Sequence, residues 1–539
     1  MMRSLIAALL VGVAAAATSV NTAAQLVDAV KAVKNGETIN IAAGTYTLDE
    51  ELLFSGVTGV SLVGPGATLQ ETSKGRTMSV SDKSTVTLTG LIFTGAKHDK
   101  DGGAILVQTG STLNLNGCTF TSNNAAQGAA VAVRTASHVF GFTTKFIKNV
   151  ADGQFGGAVH ADSSTFECTG CTFEENEAPV VGGGAVVVEQ AGVAKFTDCT
   201  FTKNTAEQGG AIFVQVNTAL TITNCIFTEN SAHEGGAVWT GEGGNLQVTN
   251  SQFIKNRADA KAMFGDAGAL NVASESASFT GCTFTGNTAD QDGGAINIYE
   301  FTAYFKNCTF TGNTAKTGGA ISTVYQTDIT MSTCTFDGNN GTTAGGAIVL
   351  NAGSTLTIDA VAFKGGKSPK STAVETVSGD TACMSDGAVI DASDTANNFK
   401  SSDFCAAGEI VAQSVGDGVP NNVKAACGTC MYHRCSVKRN DEAKCYELFG
   451  YTFLDDADKG LCMCSCCRVQ CGMQKGCERK PNPPTLSADL PAASYTAAVA
   501  KPAAMILAAA AAVAALAAMA AVRARAARSK QGVEMLPLA

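Results

Sequence analysis

Acidic side chains recur at one place in this chain. Asp152, Glu207, Glu234, Asp290 and Asp292 all stand between an asparagine and a glycine pair. If successive copies stack as strands, some of these carboxylates lie ~5 Å apart. Like charges that close raise one another's pKa or draw in a cation such as Ca²⁺. Lys148, Lys203 and Lys255 stand nearby as counter-charges. The reading adopted is a solvated turn column, with a Ca²⁺ site or acid–base catalysis as the alternatives. No catalytic, cofactor-binding or metal-ligating residue is assigned.

Sulfur and imidazole give the remaining chemistry. Cys168 and Cys171 form a CxxC, a spacing that serves redox or zinc sites. Cys168, however, falls where other copies carry Leu115 or Ile222, an inward strand position, which argues against redox function. Cys118, Cys171, Cys199, Cys225, Cys282, Cys308 and Cys334 repeat at one offset. Stacked neighbours there would have Cα atoms ~4.8 Å apart, so disulfides and packed free thiols are both open. His160 at an outward strand position and His233 in a loop lack a partner His or Cys nearby in sequence and read as surface residues.

What positions these groups is a repeat. CTFTKNTAEQGGAI at Cys199–Ile212 recurs as CTFTGNTADQDGGAI at Cys282–Ile296 and CTFTGNTAKTGGAI at Cys308–Ile321. Looser copies begin near Phe93, Phe120, Phe146, Phe173, Phe253, Phe336 and Phe363, mostly 26 to 28 residues apart. Such a period means a solenoid with one coil per copy. Relative to the Phe, apolar pairs at −7 and −5 (Leu113/Leu115, Leu220/Ile222) alternate as strands do. The alternation slips by one before −2, and Asn116-Gly117 or Thr223-Asn224 suit a corner there. Asn at +3 is expected in a left-handed turn. A polar loop, Gly-Gly-Ala and a third strand follow. The expectation is an all-β, right-handed parallel β-helix of three short strands and three corners per coil. Stacked Phe rings would fill it, and glycines would stand where a Cβ would clash.

The wording resembles a family. Nine FxxN and eight GGA[ILV] matches in phase, over Val86 to Lys364, are similar to the repeats of the polymorphic outer-membrane proteins of chlamydiae. That resemblance implies surface display and adhesion and supplies no catalytic residue. Asn21–Asn35, with Leu26, Val27, Val30 and Val33 on one face, reads as a helix. With the strands after it, this segment resembles the N-terminal cap of pectate-lyase-like β-helices. Enzymes on that fold work on acidic polysaccharides through clustered Asp, a Lys or Arg base, or Ca²⁺. The repeats contain no Asn-Thr-Asp, Asp-Asp or Gly-His-Gly constellation.

The rest of the 539 residues divides by composition. Residues 1–17 read as a secretory signal, with Arg3, an apolar run and Ala15-Ala16-Ala17. The capped β-helix is assigned 18–366, and an irregular segment 367–424 with Cys383 and Cys405 as a staple. Ten Cys between Cys427 and Cys477 give a disulfide-rich unit over 425–480. A Pro/Ala linker (481–501) leads to an uncharged run, 502–522, long enough to span a bilayer. Arg523, Arg525, Arg528 and Lys530 then mark 523–539 as a cytoplasmic tail. A net charge of −10 disfavours nucleic acid as a partner. The expected partners are the membrane, through that helix, and a glycan or protein ligand.

The ectodomain of such a type I surface protein would serve adhesion, recognition or structural display. A polysaccharide lyase or hydrolase is the alternative. Asn307 and Asn340 are glycosylation sequons, expected in corners. Two residues after each Gly-Gly-Ala alanine, an outward column reads Leu106, Ala132, His160, Val187, Phe213, Trp239, Asn271, Asn297, Ser322, Val349. Val187, Phe213 and Trp239 are expected to form an apolar strip for a partner, or to be covered by the chain itself.

Overall fold

A computed structural model describes residues 17–368, with short breaks at 72–74, 260–264, 300–301, 325–326, 352–353 and 360, and the segments 374–377, 389–392 and 410–411. One coil illustrates the rest. Its strands are Thr112–Asn116, Thr119–Thr121, Asn124–Gln127 and Val131–Val133. Each pairs in parallel with its counterpart one coil on: Leu113 with Val139, Phe120 with Phe146, Ala125 with Ala151, Val131 with Val159. The result is a solenoid of four parallel sheets with 16, 13, 10 and 13 strands among the described residues. The fourth strand, after the Asn, departs from the three expected. Its inward position holds a small alanine (Ala125, Ala151, Ala232, Ala258), and in many coils the strand is only two residues long, too short to show alternation in sequence.

The phenylalanine column is continuous. From Phe93 to Phe363, successive rings stack with centroids 4.6 to 5.2 Å apart. That spacing follows the separation of neighbouring strands, so the backbone ladder sets the ring geometry. The glycines behave as expected: a Cβ on Gly210 would lie 2.2 Å from the Gly236 carbonyl oxygen of the next coil.

Asparagine behaves differently from the expectation. The left-handed residue is the one before it: Ser122, Lys148, Glu175 and Lys203 have φ of 52 to 55°. The Asn itself is buried and links coils. Asn204 Nδ2 donates to Asn230 Oδ1 (2.9 Å) and to the Phe173 carbonyl (3.0 Å). Asn230 Oδ1 also accepts the Asn204 backbone N–H at 3.0 Å. The same bonds run from Asn123 to Asn339. A corner buried between sheets must satisfy its peptide groups internally, and this column does so.

In the cysteine column Cys118, Cys199, Cys225, Cys282, Cys308 and Cys334 are buried free thiols. Burial pushes the Cys118 thiol up to about 11, which leaves it protonated and inert. The bond that forms is Cys168–Cys171. Gly141 on the preceding coil makes room, since a Cβ there would lie 2.4 Å from Cys168 Sγ.

The helix runs Ala23–Ala32, shorter than expected, with the Thr22 side chain accepting from the Gln25 N–H; Leu26 and Val30 are buried. Beyond Phe363, where the sequence pattern dissolves, strands Val374–Val377, Val389–Ala392 and Ile410–Val411 continue two of the sheets. The segment assigned as irregular thus carries strands. The expected signal core, disulfide-rich unit, linker, spanning segment and tail lie outside the described residues. Among the described residues no helix is long and apolar enough to cross a membrane.

Candidate functional site

The third strand of each coil has a second layer on it. Its flanking residues, such as Ile212 and Val214, enter the central core, while the residue between them faces away. That outward column was expected either to meet a partner or to be covered by the chain itself, and it is covered: Val187 is 0 % and Phe213 4 % exposed, and Trp239 is half-buried. The segment just before each Gly pair crosses over it. The Phe155 ring stacks on His160 (5.8 Å) and Phe213 (6.1 Å), and Phe213 stacks on Trp239 at 4.7 Å. A Cβ on Gly182 would lie 2.9 Å from the Phe213 ring. Alternation identifies the face a side chain takes, and it is silent on what lies over that face.

Charges on this layer are balanced at its N-terminal end. Arg134 bridges Asp101 (2.8 Å) and Asp162 (3.1 Å). His160, expected at the surface, is buried, and its Nε2 lies 2.7 Å from Glu189 Oε2. His233 is half-buried and lies 3.5 Å from Asp259.

Farther along, the acidic groups of this layer outnumber the cations among the described residues. The acidic residues grouped in the sequence separate by direction. Asp152, Glu207 and Asp290 are exposed on the fourth sheet, whereas Glu234 and Asp292 are half-buried over the third strand. Asp266, which the sequence reading missed, lies between them in the stack. Its coil is the longest, 31 residues from Phe253 to Phe284, and after Asp266 reads Ala-Gly where most others have Gly-Gly. Lys148 and Lys203 do not neutralise this set; they pair with Glu175 (3.4 Å) and Glu229 (4.0 Å).

These three carboxylates form a half-buried cluster. Glu234 Oε2 accepts from Trp239 Nε1 (3.1 Å), Gln208 Nε2 (3.1 Å) and Asn271 Nδ2 (3.5 Å). Asp266 Oδ1 accepts from the Asp292 N–H at 3.2 Å, and the nearby Tyr299 offsets part of the rise in the Asp266 pKa. Thr317 Oγ1 donates to Asp292 Oδ1. Burial raises the pKa of all three carboxyls; Asp292 reaches about 6, and the Asp266 charge adds to the rise at Glu234 and Asp292. Tyr299 is raised by burial and then by Asp266 and Glu234. Among the described residues no group of three His, Cys, Asp or Glu side chains is arranged to hold a metal ion.

A depression of about 420 Å³ opens on the fourth sheet beside Glu177, Glu207, His233 and Asp259. Of the sequons, Asn307 is exposed at a corner with φ 53°. Asn340 instead begins strand Asn340–Ala344 and is half-buried.

Among solved structures the chain is similar to an alginate lyase in complex with G6, at 13% identity over 70% of this chain and 92% of that one, TM-score 0.40. It is similar to bacteriophage CBA120 tailspike protein 3, at 13% over 67% and 59%, TM-score 0.34. It is also similar to PfbA, a surface adhesin of Streptococcus pneumoniae, at 12% over 64% and 87%, TM-score 0.30. Likenesses this distant carry no argument about activity. No curated protein sequence matches the chain. One family profile, described as right handed beta helix region, matches residues 66–212, 103–276 and 184–404. The match is to this broad description, not to the narrower outer-membrane repeat family. With coils, ladders and profile in agreement, the chain belongs to the right-handed β-helix family.

Proposed function

We propose that this protein is a surface-displayed recognition module in which a rigid β-helix holds a ligand-binding cluster for adhesion. One observation carries the reading. The cluster at Glu234, Asp266 and Asp292 combines half-buried acidic groups with the half-buried Trp239 and Tyr299 rings. Hydrogen-bonding groups beside aromatic rings suit saccharides and protein hot spots. Residues 1–17 would direct export and 502–522 would anchor the chain, as their composition suggests.

Chemistry weighs against the lyase alternative. A polyuronate is a polyanion, and a stack of three carboxylates repels it. Among the described residues, Lys316 is the cation that lowers the Asp292 pKa.

The test uses the full chain expressed on intact cells. The solenoid should be accessible to external protease, and the cells should adhere to a glycan-coated surface. Trp239→Ala with Glu234→Gln should abolish that adhesion without loss of surface protein. Undiminished adhesion by the variant would reject the cluster as the binding site. Unsaturated ends released from alginate or pectate by the purified chain would reject the non-enzymatic reading.

A further inference from the structure

Among the described residues this cluster has an unmet requirement of two kinds. The first is charge. Glu234, Asp266 and Asp292 occupy consecutive coils, each just before its Gly pair or the Ala-Gly that replaces one. Lys316, the nearby cation, also donates to Gln291 Oε1 at 3.3 Å. His233, which acts on Glu234 from the neighbouring position, faces Asp259 at 3.5 Å. The N-terminal half of the same layer shows what balance looks like, with Arg134 between two aspartates.

The second requirement is independent of charge. Asn297 is 0 % exposed, and neither its Nδ2 nor its Oδ1 has a hydrogen-bond partner among the described residues. Asn271 Oδ1 is likewise buried without one. Asn297 is paired in register with Asn271, which is paired with Trp239, on the strand face beneath the carboxylates. An unpartnered buried amide is costly, and here it wants both a donor and an acceptor.

Three classes of ligand fail on one count each. Among the described residues no set of three His, Cys, Asp or Glu side chains is arranged for a metal ion. A neutral sugar leaves the carboxylates uncompensated. A lysine side chain supplies donors and no acceptor. A ligand bearing an ammonium beside hydroxyls answers both needs. The ammonium meets the carboxylates and the bordering Trp239 and Tyr299 rings, and a hydroxyl, or a water it holds, serves Asn297.

We propose that this cluster binds an amino sugar, a deacetylated glucosamine unit of an extracellular glycan. The assignment rests on the recognition reading above. Trp239, the only tryptophan in the chain, reports on it through its bond to Glu234.

The full chain is titrated with a glucosamine hexamer, an N-acetylglucosamine hexamer and a lysine hexapeptide, followed by Trp239 emission. The expected result is a saturable change with the first and at least about tenfold weaker binding of the others, the step one lost charged contact makes. Asn297→Val should weaken glucosamine binding by about tenfold while leaving thermal unfolding unchanged or raised. Equal affinity for the acetylated hexamer overturns the ammonium assignment, and equal affinity for the peptide overturns the sugar. No response to any of the three overturns the site. The cell-adhesion assay judges the broader reading separately, since adhesion lost on mutation of the cluster with none of these probes bound would leave recognition standing and this ligand rejected.

Discussion

Two sets of asparagines make opposite use of the same side chain. In the corner column, Asn204 or Asn230 spends every polar atom on a neighbouring coil, and the column repeats with little variation. On the third strand, Asn271 and Asn297 are as deeply buried, yet they leave atoms unpartnered beneath a carboxylate stack. The difference separates structure from site. A residue that repeats in every coil answers the need of the coil. A residue that breaks its column's apolar pattern and remains unsatisfied answers to something else.

The largest effects should fall on the repeating columns. Phe227→Ala removes one ring from a continuous stack and should lower stability by about 3–5 kcal/mol in denaturant unfolding. Asn230→Val strands the Asn204 N–H and amide and the Phe201 carbonyl, and should cost about 3 kcal/mol or more, each lost partner contributing about 1–3. The comparison sharpens with the same substitution in the other set. Asn297→Val occupies a column where Val187 and Val349 already fit, and should stabilise the protein by about 1 kcal/mol. A loss comparable to that of Asn230→Val would erase the distinction.

A pH experiment probes the same boundary. The Asp292 carboxyl in the fold is raised to about 6, above its ordinary 3.8, so the folded state holds its proton where the unfolded chain has released it. Its contribution therefore favours the fold at low pH and declines as pH rises from about 4 to 6. The groups facing it are Asp266 and Lys316 directly, with Glu234, Tyr299 and His233 acting through the cluster. The melting temperature of Asp292→Asn should gain on the wild type as pH rises from 4 to about 7. A constant difference would place Asp292 in ordinary solvent. The smallest effect belongs to Thr228→Ala, outside the Phe column, which should stay within about 0.5 kcal/mol.

Repetition explains what was legible from the residues alone. The Phe column, the glycine pairs and the coil length were readable because each recurs in phase, so one coil corrects the reading of another. The corner Asn was placed correctly and given the wrong role: sequence shows that position +3 is Asn, and only the coil stack shows that Asn230 is the acceptor for Asn204. The cluster was half legible. Glu234 and Asp292 were noticed, but grouped with Glu207 and Asp290, because a turn that folds back over a strand separates neighbours in direction without any mark in the alternation. Asp266 was missed because its coil is extended and lacks the glycine that would have fixed its register. Trp239 drew attention as the sole tryptophan, and cover of its column by the chain was one expectation, but the covering residues Phe155 and Gly182 were not legible because they belong to no periodic pattern.

The corner asparagines also give the solenoid a direction. In every link the Nδ2 of one coil points to the Oδ1 of the coil that follows in sequence, from Asn123 to Asn339, and the sense never reverses. Amide dipoles aligned head to tail polarise one another, so the column behaves as a single oriented wire of hydrogen bonds along the axis. Its two terminals are chemically unlike. At the first, Asn123 Oδ1 accepts the Ala96 N–H. At the last, Asn339 Nδ2 donates to the Phe310 carbonyl, and the position that would hold its asparagine acceptor is Gly366. Coils can therefore be added or removed between the ends without disturbing the sense of the wire, whereas a coil grafted beyond Asn339 must bring an acceptor with it.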